Sequence, residues 1–127
     1  MSTARIPIIV EVEKLCNLNG ELHRFAAPNA VRYILKKMPL EGFIARWDSA
    51  IYILTDISIG AEKATPSLTP GDIFYWPPGR ALGIAFREHR SRAQTVRVGK
   101  VASGFEVLER ASQGSRLRLY PQQPFSP

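Results

Sequence analysis

Cysteine and long apolar runs are what this sequence most clearly lacks. The 127-residue chain has one cysteine, Cys16, which excludes an internal disulfide framework and a zinc site built from several thiolates. The early apolar run stops at Glu11, too soon for the roughly 7–15 residues of a signal-peptide core or the ~20 of a membrane span. We therefore expect a cytoplasmic protein with a reduced thiol and no membrane partner.

Histidine is also scarce, and the motifs of several enzyme classes are missing. His23 and His89 have no acid at metal-ligand spacing, so we predict no metal site. The sequence has no phosphate-binding glycine loop, no dinucleotide-binding glycine motif and no G-x-S-x-G nucleophile elbow. Asp72, which follows Pro70 and Gly71, is expected to close a turn. No cofactor is predicted, and nothing marks a catalytic carboxylate pair.

The overall composition is that of an ordinary globular domain. The chain is 45% hydrophobic and 22% charged, which is typical of such domains. Its length is enough to bury roughly 65–70% of the extended-chain surface. We predict one domain over residues 1–120 and an extended tail over residues 121–127, with the oligomeric state open and a homodimer among the options.

The positive charge is concentrated at one end of the chain. Residues 1–79 hold eight basic and eight acidic residues, whereas residues 80–127 hold nine basic and three acidic ones, which accounts for the net charge of +6. Such asymmetry is found in proteins with an anionic partner and also on basic faces that only contact solvent.

Alternating apolar and polar residues predict short strands along most of the chain. The pattern indicates two helices, one after Pro28 and one over residues 103–111, with Asn29 as a helix cap and Asn19-Gly20 as a tight hairpin turn. Residues 55–69 and 87–94 are predicted to be loops. The eight predicted strands span residues 5–13, 21–25, 42–47, 50–54, 73–75, 81–86, 96–101 and 116–120.

Eight strands are enough to close a small barrel, and closure removes exposed strand edges. We therefore predict a mainly β protein, a closed eight-stranded antiparallel β-barrel capped by two helices, with a two-sheet sandwich as the alternative.

Three segments resemble a family of small prokaryotic cyclophilin-like proteins of no established function. Residues 70–82, PGDIFYWPPGRAL, resemble its GD-x-x-YWPPG-x-AL signature. Residues 46–52 are similar to its RWG-x-E-IYF stretch, although Asp48-Ser49-Ala50 replaces the glycine and the acid. Residues 29–39 resemble its helix that ends in Leu-Pro. The similarity covers nearly the whole chain, and it implies the same capped eight-stranded barrel.

Aromatic residues around Arg46 form the predicted ligand site. We expect a binding module for a small molecule or a peptide, including a proline-containing one, with the stiff segment 76–79 at the rim of a preformed cleft. The alternative is that these rings only pack the barrel. The predicted site residues are Arg46, Trp47, Tyr52, Tyr75, Trp76 and Phe86.

The cyclophilin-like resemblance also raises peptidyl-prolyl isomerisation as an alternative function. Twisting the conjugated amide bond costs ~18–20 kcal/mol, and an arginine donor beside a ring pocket would stabilise the twisted state. Arg46 is the candidate donor, but it follows Ile44-Ala45 where true cyclophilins have Phe-His, so the fold does not by itself imply the activity. The competing role for Arg46 is structural, as a partner of an acid, an aromatic ring or a backbone carbonyl.

A third hypothesis is nucleic-acid binding through the basic end of the chain. Alternation places Arg116, Arg118 and Tyr120 on one face of the last strand, with Leu117 and Leu119 pointing inward. If Arg97 lies nearby, a basic stripe with one aromatic residue results, which could follow a phosphate backbone.

Overall fold

The structure, a computed structural model, describes residues 4–60 and 62–122, without the side chains of residues 91–94. Helix α1 spans Pro28–Lys37, and 3₁₀ helices span Pro77–Gly79 and Phe105–Arg110. The strands are β1 (Arg5–Val12), β2 (Cys16–His23), β3 (Leu40–Phe43), β4 (Ala45–Arg46), β5 (Ala50–Leu54), β6 (Thr65–Leu68), β7 (Asp72–Trp76), β8 (Ala81–Ala85), β9 (His89–Val101) and β10 (Arg116–Pro121).

The strands form one antiparallel sheet that curls almost completely into a barrel. Its order is β3-β10-β1-β2-β9-β7-β8-β5-β4, and β6 pairs with β9 outside this path. The two edge strands of the sheet, β3 and β4, come together because they are consecutive in the chain. Gly42 of β3 lies against Ile53 of β5, and a Cβ on this glycine would be 3.0 Å from the Ile53 Cβ. The predicted mainly β, helix-capped barrel is confirmed.

Alternation along the strands fills the inside of the barrel. In β1, the side chains of Ile6, Ile8, Val10 and Val12 are buried, and those of Leu117 and Leu119 in β10 join the same core. Strands β1 and β10 therefore line the core with every second residue, as the period of two requires.

A second, smaller hydrophobic cluster lies on the outside of the sheet. Ala50, Leu68, Phe74 and Ala85 are buried in it, and Trp47 and Trp76 pack against it. The separate clusters mean that β7 is buried on both faces, with Ile73 and Tyr75 in the main core and Phe74 in the outer cluster.

Several predicted elements have different boundaries. The predicted strand 42–47 is divided into β3 and β4, β6 occupies part of the expected loop 55–69, and β9 begins at His89 inside the expected loop 87–94. The predicted second helix is the 3₁₀ helix Phe105–Arg110. The sheet thus has ten strand segments, because long-range pairing partners order stretches that have weak strand patterns of their own.

The hairpin turn predicted at Asn19-Gly20 is wrong. The turn lies at residues 13–15, where Lys14 has a φ of 60° and the Leu15 N–H donates to the Val12 carbonyl over 3.1 Å. Gly20 is a strand residue paired with Ile8. A Cβ on Gly20 would be 3.3 Å from the Ile73 side chain, so the glycine there serves close packing.

Helix α1 lies on the barrel with Ala30, Val31 and Ile34 buried. The predicted cap at Asn29 is also wrong, since Ala27 holds the cap position and makes no side-chain cap bond. No helix within the described ranges is long and apolar enough to cross a membrane.

Candidate functional site

Five rings come together on the outer face of the sheet, and we name them the outer aromatic cluster: Trp47, Tyr52, Phe74, Trp76 and His89. Alternation along β7 sends Phe74 and Trp76 to this face. Phe74 packs over Gly83 of β8, where a Cβ would be 2.7 Å from its Cζ. A glycine is therefore needed in β8 to accommodate the phenylalanine ring.

Trp47 is the centre of the outer aromatic cluster. Its ring is nearly parallel to that of Phe74, at 5.3 Å and 16°, and to that of His89, at 4.9 Å and 10°. It meets Tyr52 at 5.1 Å and Trp76 edge-on at 5.2 Å. Each favourable ring pair contributes about 0.5–1.5 kcal/mol beyond area burial, so Trp47 is held firmly although it is only half-buried.

A serine–histidine pair adjoins Trp47. Ser49 lies in the turn between β4 and β5, and its Oγ hydrogen bonds to His89 Nδ1. Burial lowers the pKa of His89 below its ordinary value of 6.5, which keeps the imidazole neutral at pH 7. The other ring nitrogen, Nε2, is buried and has no hydrogen-bond partner.

An open cleft of about 650 Å³ borders this pair. It lies between the β4–β5 turn and the segment that joins β8 to β9. Two carboxylates and two guanidiniums surround its mouth; Arg87 pairs with Glu109, and the Arg90 Nε is 3.9 Å from a Glu88 oxygen. The lining residues are Trp47, Asp48, Ser49, Arg87, Glu88, His89 and Arg90.

Comparison with known families decides where this barrel belongs. The sequence profile of the family described as cyclophilin-like matches residues 4–120. The chain belongs to the cyclophilin-like family. The expected family membership is therefore confirmed.

Two solved structures share this cyclophilin-like fold. The solution structure of a hypothetical protein from Archaeoglobus fulgidus aligns with a TM-score of 0.78 and 22% identity, over 95% of this chain and 99% of the other. The structure of McbB in complex with tryptophan aligns with a TM-score of 0.77 and 13% identity, over 94% of this chain and 46% of McbB. A search of curated proteins gave no match. At these identities the similarity shows the fold alone.

The cyclophilin-like barrel does not bring all the predicted site residues together. Trp47, Tyr52 and Trp76 meet in the outer aromatic cluster, but Tyr75 points to the opposite face of β7 and is fully buried in the main core. The Tyr75 hydroxyl donates to the Ile57 carbonyl over 2.6 Å. Its position follows from the strand period, because neighbouring residues of a strand face opposite sides.

Arg46 and Phe86 form a separate contact. The Arg46 guanidinium donates to the Ala111 carbonyl at 2.5 Å and to the Leu108 carbonyl at 3.5 Å, at the end of the 3₁₀ helix Phe105–Arg110. It also lies over the Phe86 ring, 5.3 Å from the centroid. Two roles were expected for Arg46, a catalytic donor and a structural partner. A backbone carbonyl was among the partners expected for the structural role, and Arg46 makes that contact.

Ion pairs occupy the predicted nucleic-acid residues of β10. Arg116 Nη1 is 3.5 Å from Glu41, and Arg118 Nε is 3.2 Å from the same carboxylate. The Tyr120 hydroxyl donates to Glu11 over 3.1 Å. These acids come from β3 and β1, which pair with β10, so the local charge is largely balanced.

Arg97 lies away from that face. Strands β1 and β2 separate β9 from β10, so the predicted continuous stripe does not form. Arg97 Nε is 3.2 Å from the buried carboxylate of Asp72. Asp72 in turn accepts the Thr69 N–H over 2.8 Å, which is the turn-closing role expected for it.

Neither a metal site nor an activated thiol is found in the described part of the chain. It contains no group of three or more His, Cys, Asp and Glu side chains that could hold a metal ion. Cys16 is half-buried, and burial raises its pKa above 9.0, which disfavours the reactive thiolate.

Ser49, Phe74 and His89 were missed as site residues. Ser49 and His89 are 40 positions apart; Ser49 lies where the chain departs from the RWG-x-E-IYF stretch, and His89 belongs to no recognisable motif. The alternation that placed Tyr75 opposite Phe74 is visible in the sequence and could have identified Phe74. Nothing in the sequence alone pairs a turn serine with the start of β9.

Proposed function

We propose that this protein is a binding module whose cleft beside Trp47 and His89 takes a small molecule or a short peptide. The observation that carries the proposal is the cleft itself, of about 650 Å³, next to a buried imidazole nitrogen without a partner. Small-molecule sites are typically concave and roughly 300–1,000 Å³ in volume. This cleft has that volume, with the Trp47 and His89 rings on one side and a mostly charged remainder.

The charges at the cleft favour a ligand that carries both signs. Asp48 can receive an ammonium group, and Arg90, whose contact with Glu88 is long at 3.9 Å, can receive a carboxylate. An amino acid or a short peptide, including a proline-containing one, has both groups. The McbB structure contains tryptophan, and we choose this amino acid as the first probe for the cleft.

The isomerase and nucleic-acid alternatives have less support. Arg46 already donates to two carbonyls, and a donor engaged in this way is not free for a twisted amide. Arg116 and Arg118 are paired with acids, which reduces their attraction for phosphates.

Amide chemical shifts measured during titration with L-tryptophan and with an Ala-Pro dipeptide test the proposal. We expect saturable shifts at residues 47–49 and 87–90, with dissociation constants near 1 mM, which correspond to a binding free energy of about −4.1 kcal/mol. Arg90→Ala should weaken binding, because its exposed side chain lies at the cleft. Arg32→Ala, an exposed arginine on α1, is the matched control and should leave binding unchanged.

Failure would be equally visible in the titration. Shifts that do not saturate for either probe, or that map to another part of the barrel, contradict a binding role for this cleft.

A further inference from the structure

We propose that Ser49 and His89 form a nucleophile–base pair that reacts with acyl esters in the cleft, an activity that goes beyond binding. The Ser49 Oγ is hydrogen bonded to His89 Nδ1, and both residues line the cleft. A serine hydroxyl is a weak nucleophile until an adjacent base accepts its proton. The pair supplies that arrangement beside a space large enough for a small ester.

Both members of the pair are held in place. The Ser49 carbonyl accepts the N–H groups of Phe86 and Arg87, at 2.9 and 3.2 Å, which ties the β4–β5 turn to the end of β8. The His89 ring stacks on Trp47. Stacking on Trp47 thus orients the imidazole, a role that a carboxylate commonly has in hydrolases. Because the geometry of the pair is fixed, the entropic cost of reaction is lower.

The surroundings of His89 suit a neutral base. Its Nε2 is buried without a partner, an arrangement that costs free energy and that in native proteins often marks a functional group. Burial keeps the imidazole uncharged at pH 7, so the Nδ1 lone pair is available to the Ser49 hydroxyl, while the same burial makes His89 a weaker base than a free imidazole.

Hydrogen-bond donors are available for the developing oxyanion. Within the described residues, the N–H groups of Asp48 and Ser49 make no backbone–backbone hydrogen bond in this turn. Both residues line the cleft. Unpaired N–H groups beside a nucleophile are the usual means of stabilising a tetrahedral intermediate.

The reaction has two balanced steps. Ser49 Oγ forms a bond to the ester carbonyl carbon and passes its proton to His89 Nδ1; the bond to the alcohol oxygen breaks, and the alcohol leaves with that proton. Water then attacks the acyl group on Ser49 and gives a proton to His89 Nδ1, which returns it to Ser49 as the carboxylic acid leaves. Water is the one co-reactant, and no oxidant or metal is needed.

p-Nitrophenyl acetate tests the pair, with release of p-nitrophenolate and peptide mass mapping as two readouts. We expect the acetyl group on Ser49 and p-nitrophenolate release above that of buffer. Ser49→Ala and His89→Phe should each lower the release about tenfold or more. His89→Phe keeps a ring on Trp47 and leaves the serine in place, so it removes the base alone. Ser103→Ala, an exposed serine, is the matched control and should react like the wild type.

The proposal is overturned if the label maps to another residue or if His89→Phe reacts as fast as the wild type. Circular dichroism of each variant checks that the barrel is intact. p-Nitrophenyl acetate is uncharged, so its reaction with Ser49 does not depend on the charged residues at the cleft. If Ser49 is labelled but the protein binds neither tryptophan nor Ala-Pro, this inference stands and only the binding proposal is contradicted.

Discussion

The Glu62 carboxylate accepts the backbone N–H of Ala30 over 3.1 Å, at the first turn of α1. The same carboxylate accepts the Asn29 N–H over 3.1 Å. The first N–H groups of a helix have no partner inside the helix, and the helix dipole favours a negative charge there. A residue of the loop that follows β5 therefore caps the helix and ties it to the barrel.

Removing this cap should loosen α1. We expect Glu62→Ala to lower the free energy of unfolding by about 1 kcal/mol, and Glu62→Gln by less, since the amide oxygen still accepts a hydrogen bond. Urea denaturation followed by circular dichroism measures both. Glu106→Ala, at an exposed glutamate without a hydrogen bond or ion pair to the described residues, is the control; an equal loss there would contradict the capping role.

The Tyr75 hydroxyl should stabilise the segment after β5. It donates to the Ile57 carbonyl and accepts the Ile59 N–H over 3.4 Å. Tyr75→Phe leaves the buried carbonyl without its donor, so we expect a loss of about 1–3 kcal/mol and faster amide hydrogen exchange at Ile59. Tyr33→Phe, at an exposed ring on α1, should change neither quantity. Unchanged exchange at Ile59 in Tyr75→Phe would argue against this contact.

Arg46 should contribute to stability and not to catalysis. Arg46→Ala removes a charged donor from the Ala111 and Leu108 carbonyls, and we expect a loss of about 1.5–3 kcal/mol. In a proline-peptide isomerisation assay, we expect the wild type and the variant to match the rate in buffer. Acceleration by the wild type that disappears in Arg46→Ala, with the barrel still folded, would support the isomerase alternative instead.

Acid should destabilise the protein through His89. Its pKa in the folded state lies below the ordinary 6.5, so as pH falls below about 6.5 the unfolded chain takes up the proton first. The stability contributed by neutral His89 is present above that pH and is lost progressively as the pH falls toward the folded-state pKa. The charged residues that line the same cleft are Asp48, Arg87, Glu88 and Arg90. The urea midpoints of the wild type and His89→Phe, measured between pH 7.5 and 5, test this effect. If the midpoint changed with pH equally in both proteins, the role of His89 would be contradicted.

The sequence alone determined most of the barrel. Apolar residues two apart in β1 and β10 fixed which side chains face inside, because successive residues of a strand point to opposite faces. The helix after Pro28 was equally clear from its apolar period, since Ala30, Val31 and Ile34 form one buried face. The family resemblance added the expected architecture, and the match over residues 4–120 confirms the family.

Only the tertiary structure decided what the site contains. Ser49 meets His89 because the end of β8 carries the chain back beside the β4–β5 turn, and Glu62 reaches α1 across 32 positions. Tyr75 lies outside the expected site because the alternation along β7 turns its side chain inward, where it bonds to Ile57. Arg46 lies outside it because its guanidinium donates to the Ala111 carbonyl at the end of the 3₁₀ helix. Local patterns encode the face of a strand, whereas contacts between distant side chains depend on how the whole sheet closes.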